Sequence, residues 1–223
     1  MMTNKLSRIW SSLGSGGLKF VSYRLYEEFQ ERRLNVRTTG LVSAEELGFE
    51  SAEFFEYTPA PYRALRDSLG RIEVRPGEDA FLDYGCGLGR AIVVAGTHPF
   101  RRVLGIDISP ALVERAVENV RRAGPRLKCE VRAEVADAQT YAVPDDITVV
   151  HFYNPFTGST LERAVANIRD SLRRKPRDLT IIYGNPGKFE QLFAAQGWLE
   201  RKTYNSFHPR TSYGIYLCRP DGR

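Results

Sequence analysis

The chain has 223 residues, 42% hydrophobic and 26% charged, proportions that exclude a disordered or fibrous protein and suit one α/β domain with an extension. No stretch approaches the roughly 18 consecutive apolar residues that span a bilayer, and no signal peptide, disulfide framework or zinc spacing is present, so we expect a cytoplasmic protein without a metal site or a membrane partner. The net charge of +5 is modest and dispersed, which disfavours nucleic acid as a partner without excluding it.

Residues 1–76 are predicted to form a helical extension that precedes the main domain. Val21, Leu25 and Phe29 recur every four residues, which predicts an amphipathic helix over about residues 18–33. Two roles stay open for this helix, a cap packed on the main domain and a lid that contacts substrate.

From residue 77 to 223, apolar strands alternate with helical segments, a pattern typical of βαβ units and a mainly parallel sheet. We therefore predict a doubly wound α/β core with seven strands and helices on both faces, its last two strands forming a hairpin. The predicted strands are 80–84, 102–107, 128–133, 147–153, 179–184, 199–206 and 212–218. The predicted helices are 62–69, 89–96, 110–123, 159–172 and 186–196.

A glycine-rich loop follows the first predicted strand, which ends at Asp83. Gly85, Gly87 and Gly89 let the backbone turn tightly and come close to a ligand, because a β-carbon would collide there. The helix after the loop points its N-terminal amides at the same place. A dinucleotide fingerprint needs a small residue where this chain has Arg90, so a nicotinamide or flavin cofactor is disfavoured.

Carboxylates also follow the second and third predicted strands. Asp107 lies 22 positions after Gly85, where it can accept hydrogen bonds from both hydroxyls of a ribose; the alternative is that it caps the next helix. Asp137 lies where it can accept a hydrogen bond from an adenine amino group, with a plain surface turn as the alternative. An adenosine-containing ligand is the interpretation that joins the two positions.

The segments 83–90, 105–107 and 136–138 resemble the first three cofactor motifs of class I methyltransferases. The resemblance covers about residues 80–218. It implies a seven-stranded sheet in the order 3-2-1-4-5-7-6, with S-adenosyl-L-methionine over the carboxyl ends of the strands and the methionine ammonium near Asp83. The cofactor-binding residues that it implies are Asp83, Gly85, Cys86, Gly87, Gly89, Asp107, Ile108, Asp137, Ala138, Asn154 and, by a looser analogy, Tyr57 in a segment folded over the methionine end.

Asn154, followed by Pro155 and Phe156, ends the fourth predicted strand. This run resembles the Asn-Pro-Pro-aromatic signature of amino-group and amide methyltransferases, with one proline missing. In those enzymes the asparagine holds the substrate nitrogen, so the resemblance implies that Asn154 is the catalytic residue that orients an amine or another nucleophile, on a protein lysine or a small molecule. An Asn-Pro turn without a catalytic role is the alternative.

Two histidines are further candidates for general-base chemistry. His151 lies inside an apolar strand, where a hydrogen-bonded structural role is favoured, and His208 lies in the predicted loop between the last two strands. A second function from another class also stays open: a catalytically inactive protein that keeps the methyltransferase fold and binds RNA through its basic surface.

Overall fold

The structure is a computed structural model that describes residues 15–40, 57–185, 190–208 and 211–218. Within these ranges seven strands form one sheet with the order β3-β2-β1-β4-β5-β7-β6, which confirms the predicted order. The strands are β1 (Ala80–Tyr84), β2 (Arg102–Asp107), β3 (Glu130–Val135), β4 (Ile147–Tyr153), β5 (Leu179–Gly184), β6 (Leu199–His208) and β7 (Thr211–Cys218).

The helices surround the sheet and connect its parallel strands. They are α1 (Ser15–Leu34), α2 (Tyr62–Gly70), α3 (Arg90–Gly96), α4 (Pro110–Ala123), α5 (Gly158–Arg174) and α6 (Glu190–Ala194), with a 3₁₀ turn at Gly124–Arg126. The helix predicted over residues 186–196 is described only from residue 190, because 186–189 lie outside the described residues. None of the described helices is both long enough and apolar enough to cross a membrane.

Strand pairing places the carboxyl ends of four strands side by side. β1 lies inside the sheet and pairs in parallel with β2 and β4, and β4, the central strand, pairs in parallel with β5. β7 is antiparallel to both β5 and β6, so the last two strands form the predicted hairpin. β6 continues to His208, so this histidine belongs to the strand and not to the predicted loop.

The apolar residues of the sheet divide into two buried layers, one on each face. Phe81, Val149 and Ile182 belong to the layer that also holds α2 and α3. Leu82, Val150 and their neighbours form the other layer with α5. Because β1 is buried along its whole length, its sequence is an almost continuous apolar run, and the buried Asp83 stands out against it.

The helix predicted from the four-residue repeat is present as α1, but the predicted face is wrong. Leu25 and Phe29 are 60% and 59% exposed, and Val21 is exposed as well. The buried side of the helix carries Glu27 and Gln30. The four-residue period predicted the helix correctly, but the orientation of the helix depends on the buried guanidinium of Arg90, which pairs with Glu27 and Glu31.

Candidate cofactor and acceptor site

A cavity of about 260 Å³ opens at the carboxyl ends of β1, β2, β4 and β5. The core forms two of its walls, and residues 57–60, which precede α2, form a third. The walls bring together most of the residues that the sequence singled out, namely Tyr57, Asp83, Gly85, Cys86, Asp107, Ile108, Ala138 and Asn154. Gly87, Gly89 and Asp137 are not among the residues that line it.

The glycine loop contacts two segments that are distant in sequence. Gly85 has a φ of 69° and a β-carbon there would overlap Pro155, the residue after Asn154. Gly87 has a φ of 53° and a β-carbon there would overlap the ring of Tyr57. Both positions therefore need glycine for their positive φ and for a close approach. The loop thus contacts both the segment before α2 and the segment after β4.

Asp107 ends β2 with its carboxylate held by two backbone amides. Oδ2 accepts a hydrogen bond from the amide of Gly87 and Oδ1 from that of Ser109, each at 2.9 Å. The side chain of Ser109, not that of Asp107, caps α4 by accepting from the Leu112 amide at 3.4 Å. Burial raises the pKa of Asp107 and the nearby Asp83 adds to that, whereas the two amides oppose it. Since each oxygen keeps a free lone pair, the carboxylate can still accept from a vicinal diol.

The residues after β3 contribute an apolar surface beside Asp107. Ala136 and Ala138 line the cavity together with Ile108. The carboxylate of Asp137 accepts the Gln139 amide at 2.8 Å and so closes a local turn. The backbone and the alanine side chains of this segment thus face the cavity, and the carboxylate stabilises the turn at its rim.

Two asparagines end neighbouring strands in the left-handed conformation. Asn154, after β4, has a φ of 49°, and Asn185, after β5, has a φ of 53°. Asparagine tolerates this region better than most non-glycine residues. Asn185 donates to the Tyr153 hydroxyl at 3.3 Å and accepts from the Ser212 amide at 3.1 Å, so its side chain is held. Burial raises the pKa of Tyr153 to about 12, which keeps its hydroxyl protonated.

Beside them, Asp83 and His151 form a buried pair on adjacent strands. His151 Nδ1 lies 2.6 Å from Asp83 Oδ1, and both side chains line the cavity. The imidazole ring lies nearly parallel to the rings of Phe81 and Tyr213, with centroid distances of 6.0 and 6.2 Å. His151 Nε2 is buried and has no hydrogen-bond partner among the described residues.

Arg90, the first residue of α3, attaches the N-terminal segments to the glycine loop. Its guanidinium is 3% exposed and donates to Glu27 at 2.5 Å, to Glu31 at 3.4 Å and to Thr38 at 2.7 Å. It also donates to the Ala60 carbonyl at 3.0 Å. With so many acceptors committed, the guanidinium serves to fix the N-terminal cap and is not left free for a ligand. This buried cation explains why α1 turns its acidic side inward.

The cavity therefore contains residues that the sequence analysis missed. The sequence used Arg90 only to argue against a dinucleotide cofactor. Its ion-pair role could not be predicted, because its partners lie up to 63 positions away. Asn185 had a local signal, because Asn185-Pro186 repeats the Asn154-Pro155 pair at the end of the next strand. Cys86, which was predicted, lines the cavity as a buried thiol whose pKa is raised by burial, so it is not an activated nucleophile.

Comparison with known proteins finds likeness to methyltransferases. Residues 81–175 match the family described as "Methyltransferase domain". The phosphoethanolamine N-methyltransferase of Triticum aestivum is 26% identical to this chain, over 96% of this chain and 39% of its own length. The ribosomal protein L11 methyltransferase of Burkholderia mallei is 42% identical, over 33% of this chain and 20% of its own length. The chain thus spans two fifths or less of these curated relatives.

Among solved structures, an RNA methyltransferase from Salinibacter ruber in complex with S-adenosyl-L-homocysteine superposes with a TM-score of 0.51 at 21% identity, over 73% of this chain and 94% of that one. This likeness concerns the fold. The strand order and the glycine loop after β1 agree with this likeness, and residues 81–175, from β1 to α5, are similar to the methyltransferase domain family.

Proposed function

We propose that this protein is an S-adenosyl-L-methionine-dependent methyltransferase that transfers a methyl group to an amine or another nucleophile held near Asn154. The observation that carries the proposal is that one cavity joins Asp107 and the glycine loop to Asn154. The curated relatives are named for different acceptors, a phosphorylated amine and a ribosomal protein, so their names leave the acceptor of this chain open.

The residues present fit such a cofactor. Asp107 keeps a free acceptor site on each oxygen for the two ribose hydroxyls, and Ile108 and Ala138 offer apolar surface to the adenine. The buried carboxylate of Asp83 contacts His151 through Oδ1 and lines the cavity, which suits the methionine ammonium. When bound, the cofactor supplies an electrophilic methyl group. The role of Asp137 toward the adenine stays a prediction.

The acceptor would enter between Asn154 and the cap. A volume of about 260 Å³ lies just below the roughly 300–1,000 Å³ of most small-molecule sites, so the cofactor would take up most of it. Only a narrow group can then reach the methyl carbon. Asn154 would orient that group, and catalysis would depend mainly on positioning and the exclusion of water.

We also propose that residues 1–76 act as a cap on a core of residues 77–223. The Tyr57 ring over Gly87 and the ion pair of Arg90 with Glu27 support this division, because each connects the two parts next to the glycine loop. The loose analogy for Tyr57, a residue closing over the methionine end, agrees with that position.

The first experiment is calorimetric titration of the purified protein with S-adenosylmethionine and S-adenosylhomocysteine. We expect saturable binding of both, and no binding at millimolar concentration would reject the proposal. Incubation of a cell extract with methyl-labelled cofactor, followed by sizing of the labelled product, then separates a protein acceptor from a small molecule. Salt-sensitive RNA binding without any methyl incorporation would instead favour the inactive RNA-binding alternative.

Variants at Asn154 test the role of its side chain. Asn154→Gly keeps the left-handed backbone and removes the amide, whereas Asn154→Ala also adds about 1–2 kcal/mol of backbone strain. We expect both to lose methyl transfer while S-adenosylhomocysteine affinity stays within a few-fold of the wild type. Equal loss of transfer and affinity would assign Asn154 to cofactor binding instead.

A further inference from the structure

His151 is a buried titratable residue in the cavity wall, and the mechanism proposed above, in which Asn154 positions the acceptor, gives it no role. It is 1% exposed, it lines the cavity, and it lies three residues before Asn154 on β4. Its Nε2 has no partner among the described residues. A buried nitrogen without a partner costs stability, so its presence in the wall of a reactive cavity calls for a functional explanation.

The neighbours of His151 fix both its tautomer and its orientation. An ionised carboxylate accepts hydrogen bonds and cannot donate them, so the 2.6 Å contact with Asp83 requires the proton to be on Nδ1. The neutral ring then presents a lone pair at Nε2. The rings of Phe81 and Tyr213 lie nearly parallel to the imidazole and restrict its plane. A carboxylate that orients an imidazole in this way is the arrangement that prepares a histidine as a base.

We propose that the Asp83–His151 pair is the proton acceptor of the methyl-transfer reaction, with Nε2 taking the proton of the acceptor. This inference rests on the proposed function and deepens it, because it names the acceptor class: an amine that arrives as its ammonium form and becomes nucleophilic once it has lost a proton, or a hydroxyl that loses its proton on transfer. The acceptor atom bonds to the methyl carbon, the carbon–sulfur bond breaks and its electron pair stays on sulfur. The proton released by the acceptor moves to Nε2, and the Asp83 carboxylate balances the resulting imidazolium.

The charges around the pair are consistent with this role. The titratable groups beside His151 are Asp83 on β1, Tyr213 on β7 and Tyr153, two residues farther along β4 in the same cavity wall, and Asp83 is the carboxylate among them. Burial holds the pKa of Tyr213 well above its usual value, so this tyrosine stays neutral. Asp107 lies farther along the same cavity, and Arg90 is neutralised by Glu27 and Glu31. The imidazolium that forms is therefore in hydrogen-bond contact with the Asp83 carboxylate, whose charge it would share with the methionine ammonium of the bound cofactor.

A first test does not depend on activity. Long-range proton–nitrogen NMR spectra of histidine labelled with nitrogen-15 distinguish a protonated from an unprotonated ring nitrogen. We expect the His151 signals to show a proton on Nδ1 and none on Nε2 at a pH where methyl transfer occurs. A protonated Nε2 together with an unprotonated Nδ1 would overturn the proposal.

The second test separates base chemistry from structure by substitution. His151→Asn keeps a donor at the place of Nδ1 and removes Nε2, and His98→Asn is the matched control because His98 is half-buried outside the cavity. The assay follows labelled methyl transfer from S-adenosylmethionine into a cell extract as a function of pH. We expect His151→Asn to bind S-adenosylhomocysteine within about three-fold of the wild type while transfer falls about 10²- to 10⁴-fold. The wild type and His98→Asn should lose transfer on acidification, and His151→Asn should lose that dependence.

Chemical rescue keeps the proposal falsifiable if the variants are unstable. In His151→Ala, added imidazole should restore part of the transfer, because it can occupy the space left by the side chain. Transfer by His151→Asn within three-fold of the wild type would overturn the inference, and so would a loss of transfer that only parallels a loss of S-adenosylhomocysteine affinity. Failure of the wild type to bind S-adenosylhomocysteine would reject the proposed function itself. The NMR measurement tests the His151 tautomer without the cofactor, so the two failures can be told apart.

Discussion

The sheet core and the N-terminal cap are stabilised by different forces. In the core, most buried positions are apolar: β1 is buried along its whole length with Asp83 as its charged residue, and α5 buries one mainly apolar face. In the cap, α1 buries Glu27 and Gln30 and exposes Leu25 and Phe29, because its buried side faces the Arg90 guanidinium. The contrast teaches that one buried cation can reverse the orientation that an apolar repeat predicts.

The largest effect is expected from removing that cation. Arg90→Met leaves Glu27 and Glu31 without their buried partner, which should lower the free energy of unfolding by about 4 kcal/mol. The measurement is urea unfolding followed by circular dichroism. The double variant Arg90→Met with Glu27→Gln is the control and should recover part of the loss.

This loss should depend on pH in one direction. Burial raises the pKa of Glu27 above its usual 4.5, and Arg90 opposes that rise, so the pKa rises further in Arg90→Met. A carboxyl whose pKa is higher in the folded state stabilises the protein at low pH, and this contribution is lost as the pH rises through the folded-state pKa. The deficit of Arg90→Met should therefore grow from pH 4.5 upward. A deficit that is equal at pH 5 and pH 8 would contradict the role of Glu27.

A core substitution should give a smaller loss of a different kind. Leu161 on α5 is fully buried in the layer opposite the cap, and Leu161→Ala should cost about 3 kcal/mol through lost burial and the cavity left behind. No ionisable partner is removed, so the loss should be constant between pH 5 and pH 8 in the same urea measurement. If the loss of unfolding free energy in Leu161→Ala depended on pH, the core would not differ from the cap in the way proposed.

Tyr57 tests whether the cap contributes to binding. Its hydroxyl donates to the Thr38 carbonyl at 2.8 Å, so Tyr57→Phe should weaken the closed cap by about 1 kcal/mol and S-adenosylhomocysteine affinity by about five-fold. Tyr141→Phe is the matched control, because it loses a hydrogen bond to Glu134 outside the cavity and should leave the affinity unchanged. Equal affinities of the two variants in calorimetry would mean that the cap does not cover the cofactor.

The smallest effect is expected on the exposed face of α1. Leu25→Gln replaces a side chain that is mostly in solvent, so the free energy of unfolding should change by no more than about 0.5 kcal/mol. Thermal unfolding is sufficient to detect a larger change. A loss above 1 kcal/mol would indicate that this face is covered, as the four-residue repeat had predicted.

The parts of the molecule that sequence predicted are those specified by local pattern. The bounds of β1, β2, β4, β5 and α4 agree with the prediction, because each reflects a run of neighbouring residues with its own end signals. The strand order came from the family resemblance and not from periodicity. Asp107 was placed in the cavity wall from its spacing to the glycine loop.

The rest depended on contacts between distant residues. The hydrogen bond between Asp83 and His151 spans 68 positions, and its partners become neighbours only because β1 and β4 pair in one register. The inverted face of α1 depends on Arg90 in the same way. No local pattern encodes such a pair, since each member alone is compatible with an exposed or a structural role. The sequence therefore predicted the residues proposed to bind the cofactor better than the residues proposed to lie beside the acceptor.

The contact between Gly85 and Pro155 limits how this protein can diversify. The loop that would hold the methyl donor and the loop that would hold the recipient touch without space for one extra carbon. A substitution at Pro155 that changes the shape of the acceptor loop would therefore also displace the glycine loop at Gly85. Engineering of a new acceptor preference would be better directed at Asn185 and the cap, which border the cavity at other positions.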